Sequence, residues 1–283
     1  MKRAYFRFAA ALAALLLSAC ASGPSIDRSY TSIGQDSRVL FIVLHYTQGG
    51  FGSALRTLTQ GQVSSHYLVD KDPVRIYGLV DENRRAWHAG ASSWQGHTNL
   101  NASSIGIEIV NPGYTDTPNG RVYAPYPPEQ IDAVVALVKD IAKRHQVRPD
   151  RIVGHNDIAP MRKQDPGPAF PWKRLADEGL IPWPDMLTVM AKRHEFEAAL
   201  PDLAWFQAKL AEYGFAVPRN GALDAMTREV IAIFQMKYRP ANFDGLLDAE
   251  TAALLYAATT PGAMLMLKSG PVQSESKVGT SRW

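Results

Sequence analysis

Cysteine is almost absent from this sequence of 283 residues, because Cys20 is the only one. A single thiol excludes a disulfide within the chain and leaves this residue free for another use. An excess of charge of one sign is also lacking, since the formal net charge is +3 at pH 7, and we expect no nucleic-acid partner. The sequence contains no His-Glu-x-x-His motif, so it lacks the signature of a common zinc peptidase.

The N-terminus has the features of a signal sequence. Basic Lys2 and Arg3 precede an apolar stretch at residues 8–17, which is too short for an ordinary membrane-spanning helix. The stretch ends in Leu-Ser-Ala-Cys20, which resembles a bacterial lipobox, so we interpret residues 1–19 as a lipoprotein signal peptide and Cys20 as the lipidated residue. An ordinary secretory signal with an incidental cysteine is the alternative. Ala21 and Ser22, rather than Asp, follow Cys20 and favour a lipid anchor on the periplasmic side of the outer membrane.

Composition divides the remainder of the chain. Residues 20–37 are rich in Ser, Gly and Asp, which is typical of a flexible tether. A first folded domain is predicted at 38–185, a linker at 186–199 and a second domain at 200–260. Residues 261–283 are predicted to form a disordered tail, because Ser, Gly, Lys and Thr dominate its end.

A loop that follows the short hydrophobic run 151–154 carries His155, Lys163 and Asp165. The prolines and the glycine between positions 160 and 168 prevent a continuous helix there. Histidine and aspartate are good zinc ligands, and a lysine beside them can stabilise developing negative charge. A structural turn without a chemical role is the alternative interpretation.

Two further polar residues lie on predicted strands. His45 ends the apolar run 39–44, where α/β sheets often place functional groups; a hydrogen-bonded core histidine is the alternative. Glu108 lies within the run Ile-Gly-Ile-Glu-Ile, and the two-residue period of a strand points it away from the core-facing isoleucines. Alone it could occupy a solvated strand face, whereas beside a zinc site it would be a general base or acid.

Other histidines are less informative. His66 lies on a predicted strand and His88 follows Trp87 in the sequence Ala-Trp-His-Ala-Gly. We interpret His66 as a hydrogen-bonded residue rather than an additional ligand. For Trp87 and His88, a place in the wall of a substrate groove and a structural role remain open.

The second domain contains a repeated motif. Gly-x-x-Asp-x-x-Thr occurs at Gly221 and again at Gly245, each time before an apolar helix, and a Phe-Gln pair ends at Gln235. Aspartate and threonine suit the start of a helix. The pattern resembles the three-helix peptidoglycan-binding domain that is often attached to cell-wall hydrolases. A small helical bundle without a ligand is the alternative.

Five motifs in one order resemble a known enzyme family: His45-Tyr-Thr, Ser-Ser-His66-Tyr-Leu-Val, Ala-Trp87-His-Ala-Gly, Ser-Ile-Gly-Ile-Glu108-Ile and the loop from His155 to Asp165. The sequence is similar to the zinc-dependent N-acetylmuramoyl-L-alanine amidases of the type 2 amidase family, which are related to the peptidoglycan recognition proteins. The resemblance covers about residues 38–185. It implies an α/β fold with a mixed central sheet flanked by helices, followed here by a small second domain of three helices.

The resemblance also implies the site. His45, His155 and Asp165 would bind zinc, and some members of the family have Cys where this chain has Asp165. Glu108 would handle the proton of the zinc-bound water, and Lys163 would stabilise the oxyanion.

The implied reaction is hydrolysis of the amide between N-acetylmuramic acid and L-alanine in peptidoglycan or muropeptides, by a protein expected to be a monomer. One alternative is a recognition protein that binds peptidoglycan without cleaving it. Another is a zinc peptidase that cuts within the stem peptide, which analysis of the products would distinguish.

Overall fold

The computed structural model describes residues 24–118 and 120–267. The predicted signal peptide 1–19 and the predicted lipidation site Cys20 lie outside the described residues, as does most of the predicted tail. Residues 24–36 belong to a unit separate from the rest of the chain and have exposed side chains and neither helix nor strand. No helix among the described residues has the length and apolar character needed to cross a membrane.

The second unit begins at Ser37 and contains all the described helices and strands. Its strands are β1 (Phe41–Tyr46), β2 (Tyr67–Lys71), β3 (Val74–Gly78), β4 (Ser93–Trp94), β5 (His97–Thr98), β6 (Ser104–Ile109), β7 (Tyr114–Thr117), β8 (Gly120–Tyr123), β9 (Ile152–Gly154), β10 (Trp183–Pro184) and β11 (Met264–Leu265). Its α-helices are α1 (Phe51–Gln60), α2 (Pro128–His145), α3 (His155–Ile158), α4 (Trp172–Asp177), α5 (Met186–Ala198), α6 (Leu203–Tyr213), α7 (Ala225–Tyr238) and α8 (Ala249–Ala258).

The central sheet has five strands in the order β3-β2-β6-β1-β9. Strands β2, β6, β1 and β9 run parallel to one another, and β3 pairs antiparallel with β2. Strands β1 and β6 are buried on both faces, which explains their nearly continuous apolar sequences. This mixed sheet with flanking helices and a second helical domain confirms the predicted α/β fold class.

Alternate residues of β1 enter two different cores. Ile42 and Leu44 pack with the buried stripe of α2 on one face of the sheet. Phe41 and Val43 lie on the other face, in one cluster with apolar side chains of α6, α7 and α8. Because strand side chains alternate in direction, His45 points to the same face as Phe41 and Val43. The C-terminal helices therefore cover the sheet face that carries the predicted site.

The repeated motif builds the starts of helices. Helices α6, α7 and α8 each follow an aspartate whose carboxylate accepts a hydrogen bond from the backbone N–H three residues later: Asp202, Asp224 and Asp248. The amide of Gln207 donates to Thr227 Oγ1 and accepts from the backbone N–H of Gly221. Gln235 makes the same two bonds with the second copy of the motif. These residues therefore have a structural role in this domain.

Two segments outside the predicted domains are ordered. The predicted linker 186–199 contains α5, which begins after the N-cap Asp185 and packs along α8. Strand β11 lies within the predicted disordered tail 261–283 and pairs antiparallel with β10, with Leu265 opposite Trp183. Backbone pairing therefore places the beginning of this predicted tail in a strand.

Candidate active site

Three neighbouring parallel strands end at one edge of the sheet beside the predicted site residues. His45 on β1 is the register partner of Glu108 on β6. His155 directly follows β9 and begins α3. Since the carboxyl ends of parallel strands meet at one edge, the sheet brings together positions that are far apart in the sequence. Lys163 and Asp165 reach this edge from the loop that follows α3.

His45, His155 and Asp165 form a compact buried cluster. The Nδ1 atoms of the two histidines are 2.9 Å apart, and each lies 3.0 Å from Oδ2 of Asp165. The three side chains are at least nine-tenths buried. The structure thus places one potential ligand atom from each residue at a common point, within 4.8 Å of one another.

The surroundings keep the imidazole of His45 neutral and the carboxyl of Asp165 ionised. Burial, and after it the nearby His155, lower the pKa of His45 to about 4, although Asp165 opposes the shift. Burial opposes ionisation of Asp165, but the adjacent imidazoles of His155 and His45 hold its pKa below the usual range. His45 and Asp165 therefore have the protonation states of metal ligands.

The atoms that meet in this cluster suit a cation. His155 Nε2 lies 3.2 Å from the carbonyl oxygen of Ala89; a carbonyl only accepts, so Nε2 carries a proton, and the tautomer with its single proton there presents the lone pair of Nδ1 to the cluster. An ionised carboxylate oxygen is also only an acceptor. Acceptor atoms this close repel one another unless a positive charge lies between them. Two imidazole nitrogens and one carboxylate oxygen are a donor set found at catalytic zinc, so the residues present fit that metal.

Glu108 lies beside this cluster with a free carboxylate oxygen. The residue is partly exposed to the cleft, whereas its Oε2 is shielded from solvent and has no hydrogen-bond partner among the described residues. Burial and the negative charge of Asp165 raise the pKa of Glu108 well above its ordinary value, and Lys163 opposes that shift. A shielded carboxyl with a raised pKa is suited to accept and return a proton.

The side chain of Lys163 supplies a positive charge at the site. The residue is half-buried and lines the cleft, and its ammonium forms neither a hydrogen bond nor an ion pair with any described residue. Its neighbour Arg162 anchors the loop, because the guanidinium donates to the carbonyl oxygens of Ala89 and Ala91 at 2.6 and 2.8 Å. The ammonium group is therefore held near the cluster while its donors stay available.

Of the remaining candidates, His66 lies away from the cluster, whereas Trp87 and His88 lie at the site. His66 does not contact the cluster: its Nδ1 accepts from the backbone N–H of Gly106 and its Nε2 contacts the carbonyl oxygen of Arg84. Trp87 is 55% exposed and lines the cleft. His88 is buried and contacts His45, with His88 Nδ1 lying 3.0 Å from His45 Nε2.

Comparison with known proteins places this site in a family. Residues 35–168 match the family described as N-acetylmuramoyl-L-alanine amidase, and residues 200–255 match a putative peptidoglycan-binding domain. N-acetylmuramoyl-L-alanine amidase AmiD of Escherichia coli strain K12 is 42% identical over 262 residues, which are 87% of this chain and 94% of AmiD. The chain belongs to the N-acetylmuramoyl-L-alanine amidase family.

Solved structures of amidases share the fold. AmpDh3 of Pseudomonas aeruginosa, crystallised in complex with an anhydromuramic pentapeptide, is 42% identical, with a TM-score of 0.76 over 83% of this chain and 97% of AmpDh3. AmiD of E. coli, crystallised with anhydro-N-acetylmuramic acid-L-Ala-D-gamma-Glu-L-Lys, is 40% identical, with a TM-score of 0.75 over 84% of this chain and 95% of AmiD.

The amidase site opens into a cleft of about 700 Å³. Glu108, Lys163 and Asp165 lie in its wall, and Tyr114 of the hairpin β7–β8 borders it. The two strands of this hairpin pair antiparallel, with Tyr114 opposite Tyr123.

The second domain also contributes to the cleft, which sequence reasoning missed. Glu229 of α7 lines it, and its carboxylate makes no hydrogen bond or ion pair with a described residue. Burial raises the pKa of Glu229, and Arg121 opposes the shift. No local sequence signal could reveal this placement, because it depends on how α7 packs against the amidase domain.

Proposed function

We propose that this chain uses zinc, bound by His45, His155 and Asp165, to hydrolyse the amide bond between N-acetylmuramic acid and L-alanine in peptidoglycan or in muropeptides. The observation that carries this proposal is that His155 and Asp165 of the three-residue cluster line one cleft with Glu108 and Lys163. Among the described residues, Oε2 of Glu108 and the ammonium of Lys163 have no hydrogen-bond partner. A protein that only bound peptidoglycan would have no need for a shielded carboxyl beside a metal-binding cluster.

Glu108 moves the proton in this mechanism. Zinc at the cluster would supply an acidified water and a positive charge beside the scissile carbonyl. Oε2 of Glu108 has no competing partner and accepts the proton as water attacks the carbonyl carbon. Because burial raises its pKa, the protonated carboxyl can then return the proton to the departing amine of L-alanine.

Lys163 stabilises the charge that develops on the carbonyl oxygen. Its ammonium has no fixed partner among the described residues and faces the cleft, so its donors need not break another contact. A donor aimed at a developing oxyanion typically lowers the activation free energy by about 3–4 kcal/mol. The cleft that Lys163 lines has a volume of about 700 Å³.

The ends of the chain set where this reaction takes place. Cys20 is proposed to carry a lipid that anchors a monomeric protein to the periplasmic side of the outer membrane. The match of residues 200–255 to peptidoglycan-binding domains supports a second attachment to the polymer, which would raise the effective concentration of substrate at the cleft. Loss of lipid labelling on substitution of Cys20 by serine, with membrane fractionation of both forms, tests the anchor.

The experiment that tests the activity uses purified protein comprising residues 21–283 and defined muropeptides. Products are identified by mass for the protein as isolated, after chelation, and after zinc is restored. We expect free stem peptides that begin with L-alanine, lost on chelation and regained with zinc. A cut within the stem peptide would instead establish a peptidase, and binding without cleavage by zinc-loaded protein would establish a recognition protein.

Two substitutions separate metal binding from proton transfer. Glu108→Gln should retain zinc while losing at least about 100-fold in kcat, the typical contribution of a positioned acid or base. His45→Ala should lose zinc and activity together. Glu129→Gln, an exposed glutamate in the first turn of α2, is the matched control and should keep both.

A further inference from the structure

The segment 87–90 contacts both histidines of the metal-binding cluster. His88 Nδ1 lies 3.0 Å from Nε2 of His45, and the carbonyl oxygen of Ala89 lies 3.2 Å from Nε2 of His155. The consecutive residues His88 and Ala89 thus contact the Nε2 atoms of His45 and His155, which face away from the cluster. Such outer partners commonly determine which nitrogen of a ligand histidine carries the proton.

Hydrogen bonds with other parts of the chain hold the backbone of this segment. Oδ1 of Asn101 accepts hydrogen bonds from the backbone N–H groups of both His88 and Ala89, at 3.0 and 2.7 Å. The carbonyl oxygen of Ala89 also accepts from Arg162. The backbone of both outer partners is therefore held in place by the side chains of Asn101 and Arg162.

The proton positions on His88 and His45 follow from a chain of hydrogen bonds. Ser104 Oγ donates to the carbonyl oxygen of Leu100 at 2.6 Å, so toward His88 Nε2, 3.1 Å away, it can only accept. His88 Nε2 must then carry a proton. In the neutral ring Nδ1 is an acceptor, and His45 Nε2 must donate to it. The remaining nitrogen of His45, Nδ1, is left with its lone pair toward the cluster.

The surroundings support a neutral His88 in this position. The ring is buried, and no carboxylate of the described residues forms a hydrogen bond or ion pair with it, so a charged ring would be buried without an anion. The ring occupies space that is available because residue 106 is a glycine: a Cβ at Gly106 would lie 2.5 Å from His88 Cγ. A side chain at this position of β6 would therefore displace the imidazole.

We propose that His88 is a positioning residue which, together with the carbonyl oxygen of Ala89, holds His45 and His155 in the tautomer whose Nδ1 lone pairs face the metal. This inference rests on the proposed zinc function. It assigns His88 a role through His45 rather than a contact with substrate. Ser104 and Leu100 complete the chain of hydrogen bonds on which the role depends.

The test measures zinc affinity and histidine tautomers in the purified protein. Competition with a chromophoric chelator gives the dissociation constant for zinc alone, and long-range nitrogen–proton NMR correlations report the protonated nitrogen of His45. His88→Phe keeps a ring but removes the acceptor, and we expect zinc to bind about 10- to 100-fold more weakly. In metal-free wild-type protein we expect His45 to carry its proton on Nε2, and in His88→Phe we expect a mixture of tautomers.

Controls distinguish positioning from general damage. His88→Asn restores an acceptor at the place of Nδ1 and should recover part of the affinity. His97→Phe replaces a histidine that packs on Phe41 and has no hydrogen bond to the cluster, so it should bind zinc like the wild type. If His88→Phe does not fold, Gly106→Ala, which displaces the ring without removing it, should weaken zinc binding in its place.

The outcomes separate this inference from the proposed function. Wild-type protein that binds no zinc would overturn both. Folded His88→Phe that binds zinc as tightly as wild type, or metal-free wild type with the His45 proton on Nδ1, would overturn the positioning role and leave the amidase mechanism intact.

Discussion

Replacing Lys237 with methionine should destabilise the fold by about 3–5 kcal/mol, the usual cost of removing one partner of a buried ion pair. Lys237 of α7 lies with Nζ 3.5 Å from Oδ2 of Asp157 in α3, and the two side chains are only 7% and 2% exposed. At this separation, with an effective dielectric constant of about 20, the attraction is about 5 kcal/mol. Loss of the ammonium leaves a carboxylate buried without its cation.

Substitution of Lys237 by methionine removes the positive charge and keeps most of the packing of the side chain. Methionine has nearly the length of the lysine stem and is flexible enough to fill the same space. The ammonium that it removes also lies 4.5 Å from the ring centroid of Trp172. Asp157 retains the hydrogen bond from the backbone N–H of Gly154 at 2.8 Å, so some of its stabilisation survives.

Chemical denaturation of four proteins measures the effect: wild type, Lys237→Met, Asp157→Asn and the double variant. Removing both charges should cost less than the sum of the single changes, with a coupling energy of about 2–3 kcal/mol. Lys209→Met is the control, because Lys209 pairs with Glu212 at 2.9 Å on the exposed side of α6 and should cost under about 1 kcal/mol. A loss for Lys237→Met no larger than for this control would refute the reasoning.

Three further predictions concern acid stability, substrate recognition and packing. The hydrogen bond from Arg144 lowers the pKa of Glu82 to about 2; Glu82→Gln should therefore cost about 1–2 kcal/mol at pH 7, after a discount for solvent screening. In denaturation curves that difference should be fully present above about pH 4.5 and disappear as pH falls through about 2. Glu229→Gln should raise KM several-fold for muropeptides with a cationic stem residue while leaving KM unchanged for a neutral stem. Gly214→Ala should lower the unfolding free energy by about 1–3 kcal/mol in the same assay, since φ is +143° and the added Cβ would lie 2.9 Å from Trp94.

The central part of the site could be predicted from the sequence because strand periodicity is a local property. The apolar run before His45 predicts β1, and the alternation around Glu108 predicts a side chain directed away from the isoleucines. The structure has both strands and aligns these residues in register. Their partnership with Asp165 required the family resemblance, since a proline-rich loop has no periodicity that fixes where its side chains point.

Placements that depend on domain packing could not be predicted. Glu229 and Lys237 lie on a helix whose sequence indicates only an apolar core, yet one lines the cleft and the other is buried against Asp157. Helix α5 lies in the segment predicted as a linker after the Pro-Trp-Pro sequence at residues 182–184, and Val189 is its buried position. The hairpin β7–β8 did have a local signal, since a glycine at position 120, which pairs with Thr117 across the turn, favours a tight turn.

The second domain is built into the amidase domain rather than attached by a flexible linker. Its helices share one core with Phe41 and Val43 of β1, it supplies Lys237 to the segment that begins with His155, and it places Glu229 in the cleft. A flexible linker would let a wall-binding domain sample many distances from the cleft and raise the local substrate concentration without selecting among sites. A shared core fixes both distance and orientation. If the domain holds the polymer as proposed, it therefore presents to the cleft those stem peptides that lie at one set distance from the point of attachment.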